Sequence, residues 1–203
     1  SADDNVTNIS TPAFIGEAVA GSTVEIFADG VSVGTTTALS GGTYVVSSSV
    51  LADGSYDITA TADDGVSGAS DPSAVLALTI DTEAPAIPSA PDLAAASDSG
   101  TTDTDDLTND TTPTLTGTSE AGISVELTSD KDGLVGTVTA DGTTGDWSIT
   151  TSALSEDDHS LTATAKDVAG NTSAASTALV VTIDATSPDA PAIPDLDAAS
   201  DTG

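Results

Sequence analysis

The strongest constraint on this chain is an internal repeat the size of a whole domain. The segment "APDLAAASDSG", ending at Gly100, returns as "IPDLDAASDTG", ending at Gly203, a shift of 103 residues. Tyr56–Gly65 "YDITATADDG" answers His159–Val168 "HSLTATAKDV", and Leu76–Pro85 "LALTIDTEAP" answers Leu179–Pro188 "LVVTIDATSP", at the same shift. Nearer the start, Thr11-Pro12 with Gly16 matches Thr112-Pro113 with Gly117, a shift of 101. Solenoid units are shorter, about 20–50 residues. The chain therefore reads as a cut from a tandem array. Residues 1–84 are the first repeat, 85–91 a proline-rich linker, 92–185 the second repeat, and 186–203 a linker with the opening of a third. Such arrays serve reach, spacing or valency more than catalysis.

Within each repeat the apolar residues alternate with period two, and no helical stripe runs through either. In the second repeat the pattern predicts strands over 113–118, 123–129, 134–140, 146–151, 159–166 and 177–184. Inward positions there are Leu115, Val125, Leu127, Trp147, Ile149, Leu161, Ala163, Ala165, Leu179, Val181 and Ile183. The first repeat supplies Phe14, Val24, Ile26, Tyr44, Val46, Ile58, Ala60, Ala62, Leu76, Leu78 and Ile80 in the same places. Short alternating strands separated by Gly/Asp/Ser turns point to an all-β fold, two antiparallel sandwiches of about seven strands each, placed end to end. Aromatics are 2% of the chain, so both cores are built from Val, Ile, Leu and Ala. The linker Ala84–Pro91 "APAIPSAP" carries three prolines and reads as a semi-rigid strut.

Charge is the second signal. Lys131 and Lys166 are the only bases, and the formal net charge is −31. Such a chain repels nucleic acid and anionic membrane surfaces and attracts cations. No apolar run is long enough to span a bilayer. The 33 acids divide into 27 Asp and 6 Glu. A salt-adapted surface is free to use either, whereas Asp is the residue of turns and of calcium loops. Cysteine is absent, which leaves a metal ion as the available staple.

The acids concentrate where each repeat opens. Asp98, Asp103, Asp105 and Asp106 precede the first strand of the second repeat, and Asp201 stands in the third opening. In a seven-strand sandwich entered at one pole and left at the other, the A–B and E–F turns are expected at the far pole. Glu17, Asp53, Asp81 and Glu83 would then gather at the far pole of the first repeat. Asp98, Asp103, Asp105, Asp106, Asp130, Asp132, Asp167 and Asn171 would gather at the near pole of the second. Carboxylates converging in one seam repel unless neutralised, and Ca²⁺, with six to eight oxygen ligands at flexible geometry, is the expected counter-ion. No EF-hand is present, since Leu134 follows Asp130-Lys131-Asp132-Gly133 where an oxygen ligand is needed.

The stretches "DLTNDTTPTLTGTSEAG" (Asp106–Gly122), "TATAKDVAGNTS" (Thr162–Ser173) and "VTIDATSPDAP" (Val181–Pro191) resemble the bacterial Ig-like extender repeats of giant RTX-type adhesins. That resemblance implies an Ig-like fold, Ca²⁺ stiffening the domain junctions, type I secretion to the bacterial cell surface, and a stalk that spaces a ligand-binding tip from the cell for attachment or biofilm formation. It maps ligand roles onto Asp81 and Asp184 at strand ends and onto Asp98, Asp105 and Asp106 at repeat openings. The first repeat departs from the pattern, with Gly68 where the second has Asn171.

No catalytic constellation accompanies these features. His159 is the single histidine, aligns with Tyr56 and reads as a packing residue, and no nucleophile elbow exists. Trp147 aligns with Tyr44 and reads as core. The expected partners are neighbouring repeats of the same type, with no nucleic acid, membrane insertion or small-molecule substrate, and the chain is expected to be a monomer. Two alternatives are a glycan- or protein-binding adhesin module and an accessory Ig-like pair of a secreted hydrolase.

Overall fold

Alternating Val, Ile, Leu and Thr make strands, and the computed structural model, which describes residues 4–102, 104–195, 197 and 200, contains fifteen of them. The first unit has β1 (Val6–Thr7), β2 (Ala13–Glu17), β3 (Thr23–Ala28), β4 (Val31–Thr37), β5 (Thr43–Ser47), β6 (Gly54–Asp63) and β7 (Leu76–Ile80). The second has β8 (Asp92–Leu93), β9 (Leu107–Thr108), β10 (Thr114–Thr118), β11 (Ser124–Ser129), β12 (Gly133–Thr139), β13 (Asp146–Thr150), β14 (Asp157–Lys166) and β15 (Leu179–Ile183). All six strands expected in the second repeat are present within two residues at each end.

Each unit is a two-sheet sandwich. In the first, the larger sheet runs β1-β7-β6-β3-β4 and the smaller is the pair β2-β5. In the second, β9-β15-β14-β11-β12 faces β13-β10-β8. The inner faces enclose separate cores, one around Leu115, Val125, Leu127, Leu161 and Val181, the other around Val24, Ile26, Ile58 and Ile80. An aromatic ring caps each core through a cross-strand glycine: Tyr44 pairs with Gly16 and Trp147 with Gly117. A Cβ on Gly117 would fall 2.6 Å from Trp147 Cε2, so no larger residue fits without displacing the ring.

The inward residues behave differently in the two units. In the second, ten of the eleven expected are buried and Leu179 packs against their edge. In the first, Tyr44, Ala60 and Ala62 are only half-buried, and Leu76 is exposed.

The short strands β1, β8 and β9 are missing from the sequence pattern, and they decide the topology. β1 runs parallel to β7 (Val6 beside Thr79), and β9 runs parallel to β15 (Leu107 beside Thr182). Each therefore carries the chain to the far pole before the strand expected to be first begins. The next strand, β2 or β10, returns toward the near pole. The A–B turn thus lies at the near pole and the B–C turn at the far pole, opposite to the simple seven-strand reading. The E–F and F–G turns lie where that reading has them.

Candidate metal centre

The polarity of the strands sorts the candidate carboxylates into two places. The first is the seam between the units. At the far pole of the first unit, Asp53 Oδ1 accepts from Thr82 N and Oγ1 (3.2 and 2.9 Å), and Asp81 Oδ1 accepts from Glu83 N at 3.1 Å. Asp53, Asp81 and Glu83 are brought together there. From the second unit come Asp167 and Asn171 in the β14–β15 turn and Glu120 in the β10–β11 turn.

These groups bond directly across the seam. Asn171 Nδ2 donates to the Asp81 carbonyl and to Asp167 Oδ2, both at 2.8 Å, while its backbone N–H donates to Asp167 Oδ1 at 2.8 Å. Glu120 Oε1 accepts from Ala86 N in the linker at 2.7 Å. Asp81, Glu83, Glu120 and Asp167, with the linker residues Ala84–Ala86, line an open cavity of about 490 Å³. Glu120 was not among the expected residues, because the A–B turn was assigned to the other pole.

Glu17 does not belong to this seam. It ends β2 opposite Thr43, at the near pole of the first unit. Asp130 and Asp132 are likewise at the far pole of the second unit, where Asp130 Oδ1 accepts from Ser160 N (2.8 Å) and Asp132 Oδ2 from Ser155 N (3.1 Å). Asp29 makes the Asp130 bond in the first unit, accepting from Asp57 N at 2.8 Å, which marks both as turn residues.

The acidic opening loop is the second place, and it too is displaced from the seam. The chain enters the second unit where Ser89 N meets the Thr118 carbonyl (2.9 Å), and β8 then runs antiparallel to β10, Leu93 beside Leu115. By Ala94, whose N–H reaches the Thr114 carbonyl at 2.9 Å, the chain has crossed the sandwich. Asp98, Asp105 and Asp106 therefore sit toward the far pole, where the Asp106 carbonyl accepts from Thr182 N at 2.9 Å. Asp184 shares a small cavity there with Ser99, Gly100 and Leu107–Asn109. Asp103 and Asp201 lie outside the described residues.

This loop is electrostatically unbalanced. Asp98 is 8% exposed, its Oδ2 accepts from Asp106 N at 3.3 Å, and its buried Oδ1 has no hydrogen-bond partner among the described residues. Burial, then repulsion from Asp98, Asp92 and Asp105, hold the Asp106 carboxyl above its ordinary value. Asp106 also adopts φ 56°, a left-handed conformation that Asp tolerates and most residues do not. A buried carboxylate oxygen without a donor, facing further carboxylates, is a donor set that a hard cation satisfies. Among the described residues no three carboxylate or imidazole side chains already converge in ligating positions. A cation here would draw on backbone or water oxygens as well.

His159 carries no chemistry of this kind. It is fully buried, with Nδ1 2.9 Å from Ser129 Oγ and Nε2 2.8 Å from the Ser155 carbonyl. The carbonyl contact makes Nε2 the protonated nitrogen, so Nδ1 accepts from the hydroxyl. Tyr56 does the same work in the first unit, donating its hydroxyl to the Ala52 carbonyl at 2.9 Å.

No curated protein sequence matches the chain. Among solved structures it is similar to the fibronectin(III)-like modules of Clostridium thermocellum CbhA, with 15% identity, a TM-score of 0.52, and coverage of 89% of this chain and 92% of that one. It is also similar to a BSP domain of a biofilm-associated protein, with 25% identity and a TM-score of 0.34, covering 90% of this chain but only 29% of that one. A C-terminal intimin fragment, solved with the intimin-binding domain of its translocated receptor, matches at 9% identity and a TM-score of 0.42, covering 89% and 62%. The first of these likenesses supports the two-sandwich fold. The sequence profile of the bacterial Ig-like domain matches twice, over residues 1–82 and 84–185, so the chain belongs to the bacterial Ig-like domain family.

Proposed function

We propose that the chain is a pair of stalk domains from a bacterial surface adhesin, non-catalytic and extracellular, stiffened by Ca²⁺ and holding a distal binding tip away from the cell. The observation that carries the calcium reading is the buried, unpartnered Oδ1 of Asp98 within a loop of four aspartates. Asp98, Asp105 and Asp106, with Asp184 nearby, would hold one ion. Asp81, Glu83, Glu120 and Asp167 at the seam offer oxygens for another. Calcium there would remove like-charge repulsion and hold the opening loop against its own domain. The stalk reading draws on the family, the tandem arrangement and the linker bonded into the seam.

A thermal melt with Ca²⁺, Mg²⁺ or chelator at one fixed ionic strength tests it. Sites of about 10⁻⁴ M affinity at about 10 mM Ca²⁺ contribute about 2.7 kcal/mol each by mass action, which for domains of this size is a rise of about 10–20 °C. Equal effects of Ca²⁺, Mg²⁺ and matched NaCl would reduce the acids to a screened surface and end the calcium reading.

A further inference from the structure

The first unit holds the second at two places, and these lie on opposite sheets of the second sandwich. One is the linker. Ala86 N donates to Glu120 Oε1 at 2.7 Å and Ser89 N to the Thr118 carbonyl at 2.9 Å, which binds the connecting chain to the end of β10 in the smaller sheet. With this attachment alone the second unit could swing about the short stretch Glu83–Pro85. The other is the β14–β15 turn of the larger sheet, where Asn171 Nδ2 reaches back to the Asp81 carbonyl at 2.8 Å. Gly170 lies against the first unit beside it, since a Cβ there would stand 3.7 Å from Asn8 Nδ2. Attachments on both sheets block the swing that either one alone permits.

Both partners of the Asn171 bond are held in place by their own units. Asn171 Nδ2 also donates to Asp167 Oδ2 at 2.8 Å, its backbone N–H to Asp167 Oδ1 at 2.8 Å, and its carbonyl accepts from Asp167 N at 3.1 Å. In the first unit, the peptide group joining Asp81 to Thr82 is engaged on both sides. Its N–H donates to Asp53 Oδ1 at 3.2 Å within the unit, and its carbonyl accepts from Asn171 of the next. Asp81 N is fixed as well, donating to the Thr7 carbonyl at 3.0 Å. A bond between two groups already ordered costs little further entropy.

The chemistry of the position is specific. The Asp81 carbonyl and the Asp167 carboxylate are both acceptors, and a primary amide offers two N–H donors on one nitrogen. The two units close this turn alike, by the bridge Lys166–Thr172 in the second and Asp63–Ala69 in the first. They differ in what the turn presents, because the first has Gly68 where the second has Asn171.

We propose that Asn171 is the residue that sets the angle between the two units, and that it does so without a metal ion. Both Asp167 oxygens and one Glu120 oxygen are already engaged by N–H groups, so an ion at the seam adds to an alignment that protein groups have fixed. A turn with glycine at this position has no side chain to reach across, and the junction it forms is a hinge. This goes beyond the stalk reading and is separable from it, because the alignment is measured with no metal present.

The chain has no cysteine, so two spin labels can be placed without competition. Thr35→Cys and Thr137→Cys put them at exposed positions of β4 and β12, one in each unit. Pulsed EPR on the full chain in EDTA then reads the distance distribution between the units. The labelled chain with Asn171 intact should give one narrow distance. Asn171→Gly should broaden it, the ratio of aligned to swung chains falling about 2- to 13-fold, as for one net hydrogen bond. Asn171→Asp keeps the shape but faces both acceptors with a further carboxylate, and should broaden it at least as much. The fold is not at risk in either, since the first unit closes the same turn around Gly68. A broad distribution with Asn171 intact would overturn the proposal, and narrowing on addition of Ca²⁺ would then give the seam to the ion. A narrow distribution in all three chains would overturn it too, leaving the alignment to the linker and Glu120. Broadening by Gly but not by Asp would assign the role to shape instead of the donor, and equally end the proposal.

Discussion

At the scale of single residues, two side chains carry sharp expectations. His159 bonds the Ser155 carbonyl and the buried Ser129 hydroxyl at once. His159→Phe fills the space but takes the donor from the Ser155 carbonyl and the acceptor from the Ser129 hydroxyl, whose oxygen keeps the Lys131 and Asp132 N–H groups, and should cost about 1–3 kcal/mol in urea unfolding. His159→Tyr, which copies the first unit, should be tolerated far better. Asp106 is the opposite case, a group that opposes folding when charged. Its carboxyl is raised above 3.8 by burial and by Asp98, Asp92 and Asp105, so the folded chain binds the proton more tightly than the unfolded chain. Its contribution therefore worsens as pH rises through the folded-state value and vanishes below the unfolded one. Without divalent ions, Asp106→Asn should raise the melting temperature at pH 7 and leave it unchanged near pH 3. Asn suits the left-handed backbone, so no strain confuses the result. A melt series across that pH range checks it.

At the scale of elements, the long strands were legible in the sequence because each buries one face of a two-residue alternation. The short ones were not. β1, β8 and β9 are two residues each, too short for any period to show. They are held by neighbours distant in the chain, such as Thr182 for Leu107 and Leu115 for Leu93. Without them the simple reading puts Glu17, Asp98, Asp105, Asp106, Asp130 and Asp132 at the opposite pole and hides Glu120, while the structure places Asp53, Asp81, Glu83 and Asp167 at the seam. Acid composition told which chemistry to look for, and only the topology could tell which acids meet. The small strand β8 also bears energy. Leu93→Ala removes a 5% exposed side chain from the second core and should cost about 2–5 kcal/mol. Among the described residues the first unit has no such strand, so chemical unfolding should split into two steps, with only the second unit's midpoint lowered.

At the scale of the whole molecule, each unit receives the chain at one pole and releases it at the other, and its terminal strands lie alongside their partners instead of across them. A pull on the two chain ends acts along the strands. In the second unit β8 is drawn past β10, and β15 is drawn past β14 and β9, so the hydrogen bonds of each pair are loaded together in shear. A pair opened from one end would break them one at a time, at lower force. The parallel neighbour of the last strand thus works as a mechanical clasp, and the second unit, with β8 as an additional clasp, should yield at higher force than the first. Single-molecule stretching would read this as two unequal rupture events from one chain, and equal events would remove β8 from any part in bearing tension.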